Sequence, residues 1–184
     1  MSVKFPIYAL NTHGEVLSTR PLGRDIGREI HDRLLETSAL MISFAGVEVA
    51  SAPFLDEVVR AVRGTLAGGE ANRLVAVVAL NEDVQETLNI VLDKNKMSLA
   101  SLDEGKVELL GGNEMLRETL DAAVALGERF TAPELAERLR IKLPALHQRL
   151  KPLLDTGVLA REPDETAERG KRHRYRSPQQ LTPA

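Results

Sequence analysis

The stretch Leu-Val-Ala-Val-Val-Ala-Leu at residues 74–80 is an uninterrupted apolar run between Arg73 and Asn81. It has no polar face, which is typical of a strand that is covered on both sides of a sheet. Asn81 can then cap a helix over Asp83–Asn95, where apolar residues recur at helical spacing. A buried strand followed by an amphipathic helix is the basic unit of an α/β fold, so we expect the preceding segments to repeat it.

The remainder of the first hundred residues shows the same alternation of strands and helices. The predicted elements are helices over Arg24–Leu35 and from Pro53 onward, strands over Ala39–Phe44 and Val107–Leu110, and a hairpin of Val3–Leu10 with Glu15–Ser18. Residues 1–111 are therefore expected to form one α/β domain, in which helices cover a mixed sheet.

After Gly112 the pattern changes to three short helices followed by a hairpin with a polar loop. The first helix is predicted over Glu114–Leu126, and Thr131 with Glu134 forms a capping box for the second. The third begins near Pro144 and contains Pro152, so it is either kinked near residue 148 or shorter than its leucine stripe indicates. The strands Val158–Glu162 and Lys171–Arg176 follow, and residues 178–184 are expected to be a flexible tail.

The charge is distributed unevenly along the chain. The whole sequence has a net charge of -3, but residues 1–112 carry -5 and residues 113–184 carry +2. Five basic residues lie within Arg169–Arg176. Because counterion release depends on the local surface that contacts phosphate, the slightly acidic total does not exclude binding to nucleic acid.

The segment 112–177 resembles the winged helix-turn-helix regulators of bacteria and phages. The resemblance lies in Leu-Pro-Ala-Leu-His-Gln-Arg-Leu at 143–150, Leu-Leu-Asp-Thr-Gly-Val-Leu at 153–159 and Lys-Arg-His-Arg-Tyr-Arg at 171–176. It implies an α+β domain whose third helix enters the major groove of double-stranded DNA and whose hairpin is the wing.

The residues themselves indicate which side chains would contact DNA. If Leu146, Leu150 and Leu153 face the core, the other side of the third helix is left to contact base edges and phosphates. The predicted DNA-binding residues are Lys142, Ala145, Gln148, Arg149 and Lys151 on that helix and Arg169, Lys171, Arg172 and Arg174 in the wing. There are two alternatives to DNA binding. Helix-turn-helix shapes also serve as protein-interaction modules, and charged helix faces are usually only solvated.

The segment 40–57, Leu-Met-Ile-Ser-Phe-Ala-Gly-Val-Glu-Val-Ala-Ser-Ala-Pro-Phe-Leu-Asp-Glu, resembles the STAS-like branch of the STAS superfamily. Leu-Asn-Glu-Asp-Val-Gln-Glu-Thr-Leu at 80–88 also suits this branch. In STAS domains that antagonise anti-sigma factors, an Asp-Ser pair at this turn carries a phosphorylated serine. Ser51 matches the serine, but Ala50 replaces the aspartate, so Ser51 is either a phosphorylation or partner switch or simply the cap of the following helix.

Several function classes are disfavoured by composition. There is no cysteine, which excludes disulfides and thiolate chemistry and fits a cytoplasmic protein, and no apolar run is long enough to cross a membrane. No catalytic, cofactor or metal constellation is apparent, and His147 and His173 lack the spacing of metal ligands. We therefore expect a homodimeric transcriptional regulator, with a STAS-like domain for dimerisation, partner binding or signal sensing. A protein-interaction adaptor, antagonist or antitoxin-like, is the alternative, and an enzyme comes third.

Overall fold

A five-stranded mixed sheet forms the centre of the structure, a computed structural model that describes residues 4–67, 69, 71–164 and 173–183. The strands are β1 (Lys4–Phe5), β2 (Ile7–Ala9), β3 (Val16–Leu17), β4 (Ala39–Ser43), β5 (Val49–Ala50), β6 (Leu74–Val78), β7 (Ser98–Asp103), β8 (Lys106–Gly111), β9 (Arg129–Thr131), β10 (Ala160–Pro163), β11 (His173–Arg176) and β12 (Thr182–Pro183). The helices are α1 (Arg20–Glu36), α2 (Ala52–Leu66), α3 (Glu82–Asn95), α4 (Glu114–Leu126), α5 (Ala132–Leu139) and α6 (Leu143–Asp155), with 3-10 turns at Leu10–His13 and Pro178–Gln180.

The central sheet has the strand order β2-β4-β6-β7-β8. The first four strands are parallel and β8 is antiparallel to β7. Two parallel two-stranded sheets, β3-β5 and β1-β12, flank it, and β9, β10 and β11 form a separate antiparallel sheet in the order β10-β11-β9. The α/β expectation with a mixed sheet is confirmed.

Both faces of the central sheet are buried, as the apolar run 74–80 predicted. Val75 and Val77 belong to one core, which α1, α2 and α3 cover. Leu74 and Ala76 belong to a second core, which is covered by α4, α5, α6 and the β9–β11 sheet. We call residues 4–111 the N-terminal unit and residues 112–183 the C-terminal unit. The predicted boundary at residue 112 does not separate two cores, because strand residues of the N-terminal unit and helices of the C-terminal unit share the second core.

Backbone hydrogen bonds also join the two units. The Val75 amide donates to the carbonyl of Gly157 (2.8 Å), and the Arg161 amide donates to that of Ala71 (2.7 Å). Arg176 of β11 has a side chain that is only 10% exposed, and its guanidinium donates to the carbonyl of Asn72 at 2.7 Å. The two units therefore form one continuous structure.

The predicted hairpin of 3–10 with 15–18 is wrong. β2 pairs in parallel with β4, and β3 pairs in parallel with β5 in a different sheet. Between β2 and β3, Leu10–His13 form a 3-10 turn, and Leu10 is completely buried. The two strands therefore belong to different sheets and do not pair with each other.

Three further differences concern two strands, the chain end and α6. The sequence patterns did not predict β7 or β9. Residues 178–183, expected to be flexible, contain a 3-10 turn, and β12 pairs with β1. Leu181, 4% exposed, anchors this segment in the second core. Finally, α6 continues through Pro152 to Asp155, so the shorter-helix alternative is wrong.

Candidate nucleic-acid interface

The local sequence explains how α5 and α6 are held. Thr131 accepts a hydrogen bond from the amide of Glu134, and the Glu134 carboxylate accepts from the Thr131 amide (2.7 Å), so the predicted capping box is present. Hydrogen bonds from the Thr131 hydroxyl and amide lower the pKa of Glu134. α5 ends at Leu139, and its C-cap Arg140 has a left-handed backbone (φ 54°) that turns the chain towards α6. The result is a tight turn between two helices.

The leucine stripe orients α6 as predicted. Leu146, Leu150 and Leu153 are fully or almost fully buried, while four of the predicted contact residues are exposed: Lys142, Ala145, Gln148 and Lys151. Arg149 differs, because its side chain is only 20% exposed and donates to Glu118 of α4 at 2.9 Å. Arg149 therefore helps to hold α6 against α4.

Other basic side chains of the C-terminal unit also pair with carboxylates. Lys151 donates to Asp155 one turn later on α6 (2.6 Å). Arg174 of β11 lies 3.3 Å from Asp164. The wing residues Arg169, Lys171 and Arg172 lie outside the described residues. The Lys151–Asp155 pair is exposed, and since exposed ion pairs contribute only about 0–1 kcal/mol, Lys151 can exchange its carboxylate partner for a phosphate.

Two exposed cations near the start of α6 were not predicted as contact residues. Arg138 and Arg140 flank the turn between α5 and α6, and Lys142 precedes α6 as its N-cap. Their signal in the sequence is the alternation of basic residues at 138, 140 and 142. This basic turn is continuous along the chain with the exposed N-terminal half of α6.

Ser51 lies at the N-terminus of α2, far along the chain from this surface. Its hydroxyl accepts a hydrogen bond from the Phe54 amide (3.3 Å) and donates to the Ser18 carbonyl (2.7 Å). The capping alternative is therefore confirmed, and a switch at Ser51 stays a prediction.

Asp56, five residues further on, is buried at the junction of α1, α2 and α3. Its carboxylate is 2% exposed and accepts a hydrogen bond from the side chain of Asn95 (2.9 Å). Arg20 and Arg60 each lie 3.3 Å away, and Lys94 lies 3.8 Å away. The Asn95 hydrogen bond and these cations lower the pKa of Asp56. Such a carboxylate stays ionised and serves to join the three helices.

One further polar cluster lies beside α1. The Tyr8 hydroxyl donates to Glu29 at 2.6 Å and lies 3.0 Å from Nε2 of His13. Burial, followed by the contact with Glu29, raises the pKa of Tyr8, so the phenol stays protonated. Within residues 4–67, 69, 71–164 and 173–183, no three histidine, aspartate or glutamate side chains come together as a metal site would need. None of the helices in those ranges combines the length and apolar character of a membrane span.

No protein-family model, curated protein or solved structure matches the chain significantly. The function is therefore inferred from the geometry and chemistry of the residues.

Proposed function

We propose that this protein is a transcriptional regulator that binds duplex DNA through its C-terminal unit, a winged helix-turn-helix. In this proposal α6 is the recognition helix, and the loop between β10 and β11 is the wing. The N-terminal unit, interpreted as a STAS-like domain, mediates dimerisation, partner binding or signal sensing, and Ser51 is its candidate switch.

The order and pairing of elements in the C-terminal unit carry this proposal. A helix, a short strand, two helices joined by a tight turn and the strands β10 and β11 follow one another from α4 to β11. The returning strand β11 lies between β10 and β9 in an antiparallel sheet. This arrangement supports a winged helix, because it joins the wing to the helical core while the polar side of α6 stays exposed.

The exposed side chains support DNA as the partner. Arg138, Arg140 and Lys142 offer phosphate contacts at the turn before α6, and Gln148 has the amide geometry that pairs with an adenine edge. Lys151 is paired with Asp155 on the surface, where a phosphate competes at small cost.

The protein-interaction adaptor remains the second candidate function. The observation that favours it is a pair of exposed apolar residues, Val16 (57% exposed) and Val49 (49% exposed), which are register partners on β3 and β5 near Ser51. Neighbouring apolar side chains on an exposed sheet suit contact with another protein. The adaptor is favoured if a stoichiometric protein partner is captured and no salt-dependent DNA affinity is found.

Electrophoretic mobility shift with a labelled duplex tests the proposal. The informative variant replaces Arg169, Lys171, Arg172 and Arg174 with Ala, and its matched control replaces four exposed cations of the N-terminal unit, Arg24, Arg28, Arg33 and Lys106. Both variants lose the same charge. We expect weaker binding only for the wing variant, with an affinity that falls steeply between about 50 and 200 mM salt. Equal behaviour of the two variants would refute the proposal.

Selection of bound sequences from a random DNA pool tests the homodimer. A palindromic consensus is expected, with half-sites about one helical turn apart, because the symmetry of an operator mirrors that of the dimer.

A further inference from the structure

One side of α6 faces the N-terminal unit across a cleft of about 750 Å³. Gln148 and Lys151 line this cleft from α6, and Arg63, Asp93 and Lys96 line it from the ends of α2 and α3. We call these last three residues the cleft wall. The recognition helix of the proposed function therefore does not project freely but has a neighbouring wall from the other unit.

The two cations of the wall are positioned by helix ends. Arg63 lies in the last turn of α2, and its guanidinium donates to the carbonyl of Asn95 at 3.2 Å. Lys96 ends α3 in the left-handed conformation (φ 52°), and its amide donates to the carbonyls of Leu92 and Asp93. Both side chains are exposed. The Arg63 guanidinium has further N–H donors beside the one bonded to Asn95, and the Lys96 ammonium extends from a fixed backbone, so both can bind a ligand.

The geometry of DNA binding gives this wall a role. A helix that enters the major groove has a sugar-phosphate strand along each of its sides, because those strands form the edges of the groove. If α6 reads bases through Ala145 and Gln148, which itself lines the cleft, the strand on the side of Gln148 and Lys151 is the one that passes along the cleft. Phosphates in that position come opposite the cleft wall.

We infer that Arg63 and Lys96 of the N-terminal unit contact phosphates of the DNA strand that runs beside α6. This inference rests on the proposed function and extends its interface across both units. Lys151 would contact the same strand from α6 by exchanging Asp155 for phosphate. The interface then includes residues that a C-terminal winged helix alone does not contain.

Asp93 makes the inference testable in the opposite direction. Its exposed carboxylate lies on the same wall, where it repels a phosphate strand. Asp93→Asn is expected to raise DNA affinity, whereas loss of the cations lowers it. A surface that DNA does not approach would show neither effect.

The test measures DNA affinity of the full chain by fluorescence anisotropy as a function of salt. The wall variant is Arg63→Gln with Lys96→Asn, since asparagine tolerates the left-handed conformation and so keeps the end of α3 intact. The matched control is Arg24→Gln with Arg28→Gln on α1, which removes the same charge from residues that do not line the cleft. Circular dichroism verifies that each variant is folded.

We expect the wall variant to weaken binding and to lower the slope of log affinity against log salt by about 2, one for each lost phosphate contact. The control should keep the wild-type slope, and Asp93→Asn should bind more tightly. Equal slopes in wild type, wall variant and control would overturn the inference while leaving the proposed function in place. If the wild type itself shows no salt-dependent binding, the proposed function fails and the inference fails with it.

Discussion

One face of the central sheet is covered by α1, α2 and α3, which alternate with its strands, whereas the other face is covered by α4, α5 and α6, which all follow the last strand. We call α1, α2 and α3 the first cover, and α4, α5 and α6 the second cover. The first cover forms as the strands are connected, because each crossover between parallel strands places a helix on the sheet. The second cover must be supplied by a separate stretch of chain. A proposed DNA-binding unit thus also completes the core of the unit that precedes it, which couples the two mechanically.

Truncation after Gly111 is the most severe way to test this comparison. The fragment 1–111 keeps the first cover but exposes Met41, Leu74 and Leu109, which are at most 8% exposed in the full chain. We expect no cooperative unfolding transition in urea, followed by circular dichroism, because one whole sheet face is left in water. The fragment 112–184 should fail likewise. Independent cooperative folding of either fragment would show that the two covers are separable.

A milder test acts on the contact between the units at Gly157. This residue has φ 73°, and a Cβ there would lie 3.0 Å from Cδ1 of Leu66 and 3.2 Å from the Arg73 carbonyl oxygen. Gly157→Ala therefore combines backbone strain with a clash and should cost about 2–4 kcal/mol in the free energy of unfolding.

Gly105→Ala is the matched control for this variant. Gly105 also has a left-handed backbone (φ 82°), but nothing lies within 4 Å of an added Cβ. It should pay the strain alone, about 1–2 kcal/mol. Urea midpoints measure the stability of both variants. Equal losses in the free energy of unfolding would mean that the contact between the units at Gly157 tolerates an added methyl group.

On both faces, local features are predicted from sequence better than tertiary pairing. Asn81, Ser51 and Thr131 are recognisable as helix caps because a cap depends on residues within three positions of each other. The apolar stripes of α1 to α6 are similarly local. In contrast, β7 (Ser98–Asp103) is rich in serine and lacks a continuous apolar run, so its place beside β6 is fixed by tertiary pairing.

In the candidate site, too, features set by neighbouring residues could be predicted and features set by tertiary packing could not. The exposed side of α6 could be predicted from three leucines, because burial of one helical face leaves the opposite face in solvent. The pairing of Arg149 with Glu118 could not, since the two residues are thirty-one positions apart. The cleft wall could not be predicted from sequence either, because Arg63 and Lys96 come to lie across the cleft from α6 only through the packing of the C-terminal unit on the sheet.

Measuring stability as a function of pH tests how Asp56 holds the helices of the first cover together. Asp56 joins α1, α2 and α3, and its pKa is lowered in the folded state, first by the Asn95 hydrogen bond. A lowered pKa stabilises the fold above the unfolded value of about 3.9, and this contribution is lost as the pH falls through the folded value. Asp56→Asn should cost about 2 kcal/mol at neutral pH and flatten the decline in stability below about pH 4. Urea unfolding at several pH values measures both effects, and an unchanged acid decline would show that Asp56 is not its source.

The smallest expected effects come from one helix cap in each unit. Ser51 caps α2 on the first face and also donates to the Ser18 carbonyl, whereas Thr131 caps α5 on the second face within a reciprocal box with Glu134. Ser51→Ala and Thr131→Ala should each lower the free energy of unfolding by about 1 kcal/mol, because each leaves a helix-end amide without its acceptor. Since the two caps share no partner, the two losses should add in the double variant. Since both faces belong to one cooperative structure, the transition should remain single. Two separate transitions in either variant, measured by urea unfolding with circular dichroism, would instead show that one cover can unfold while the other stays on the sheet.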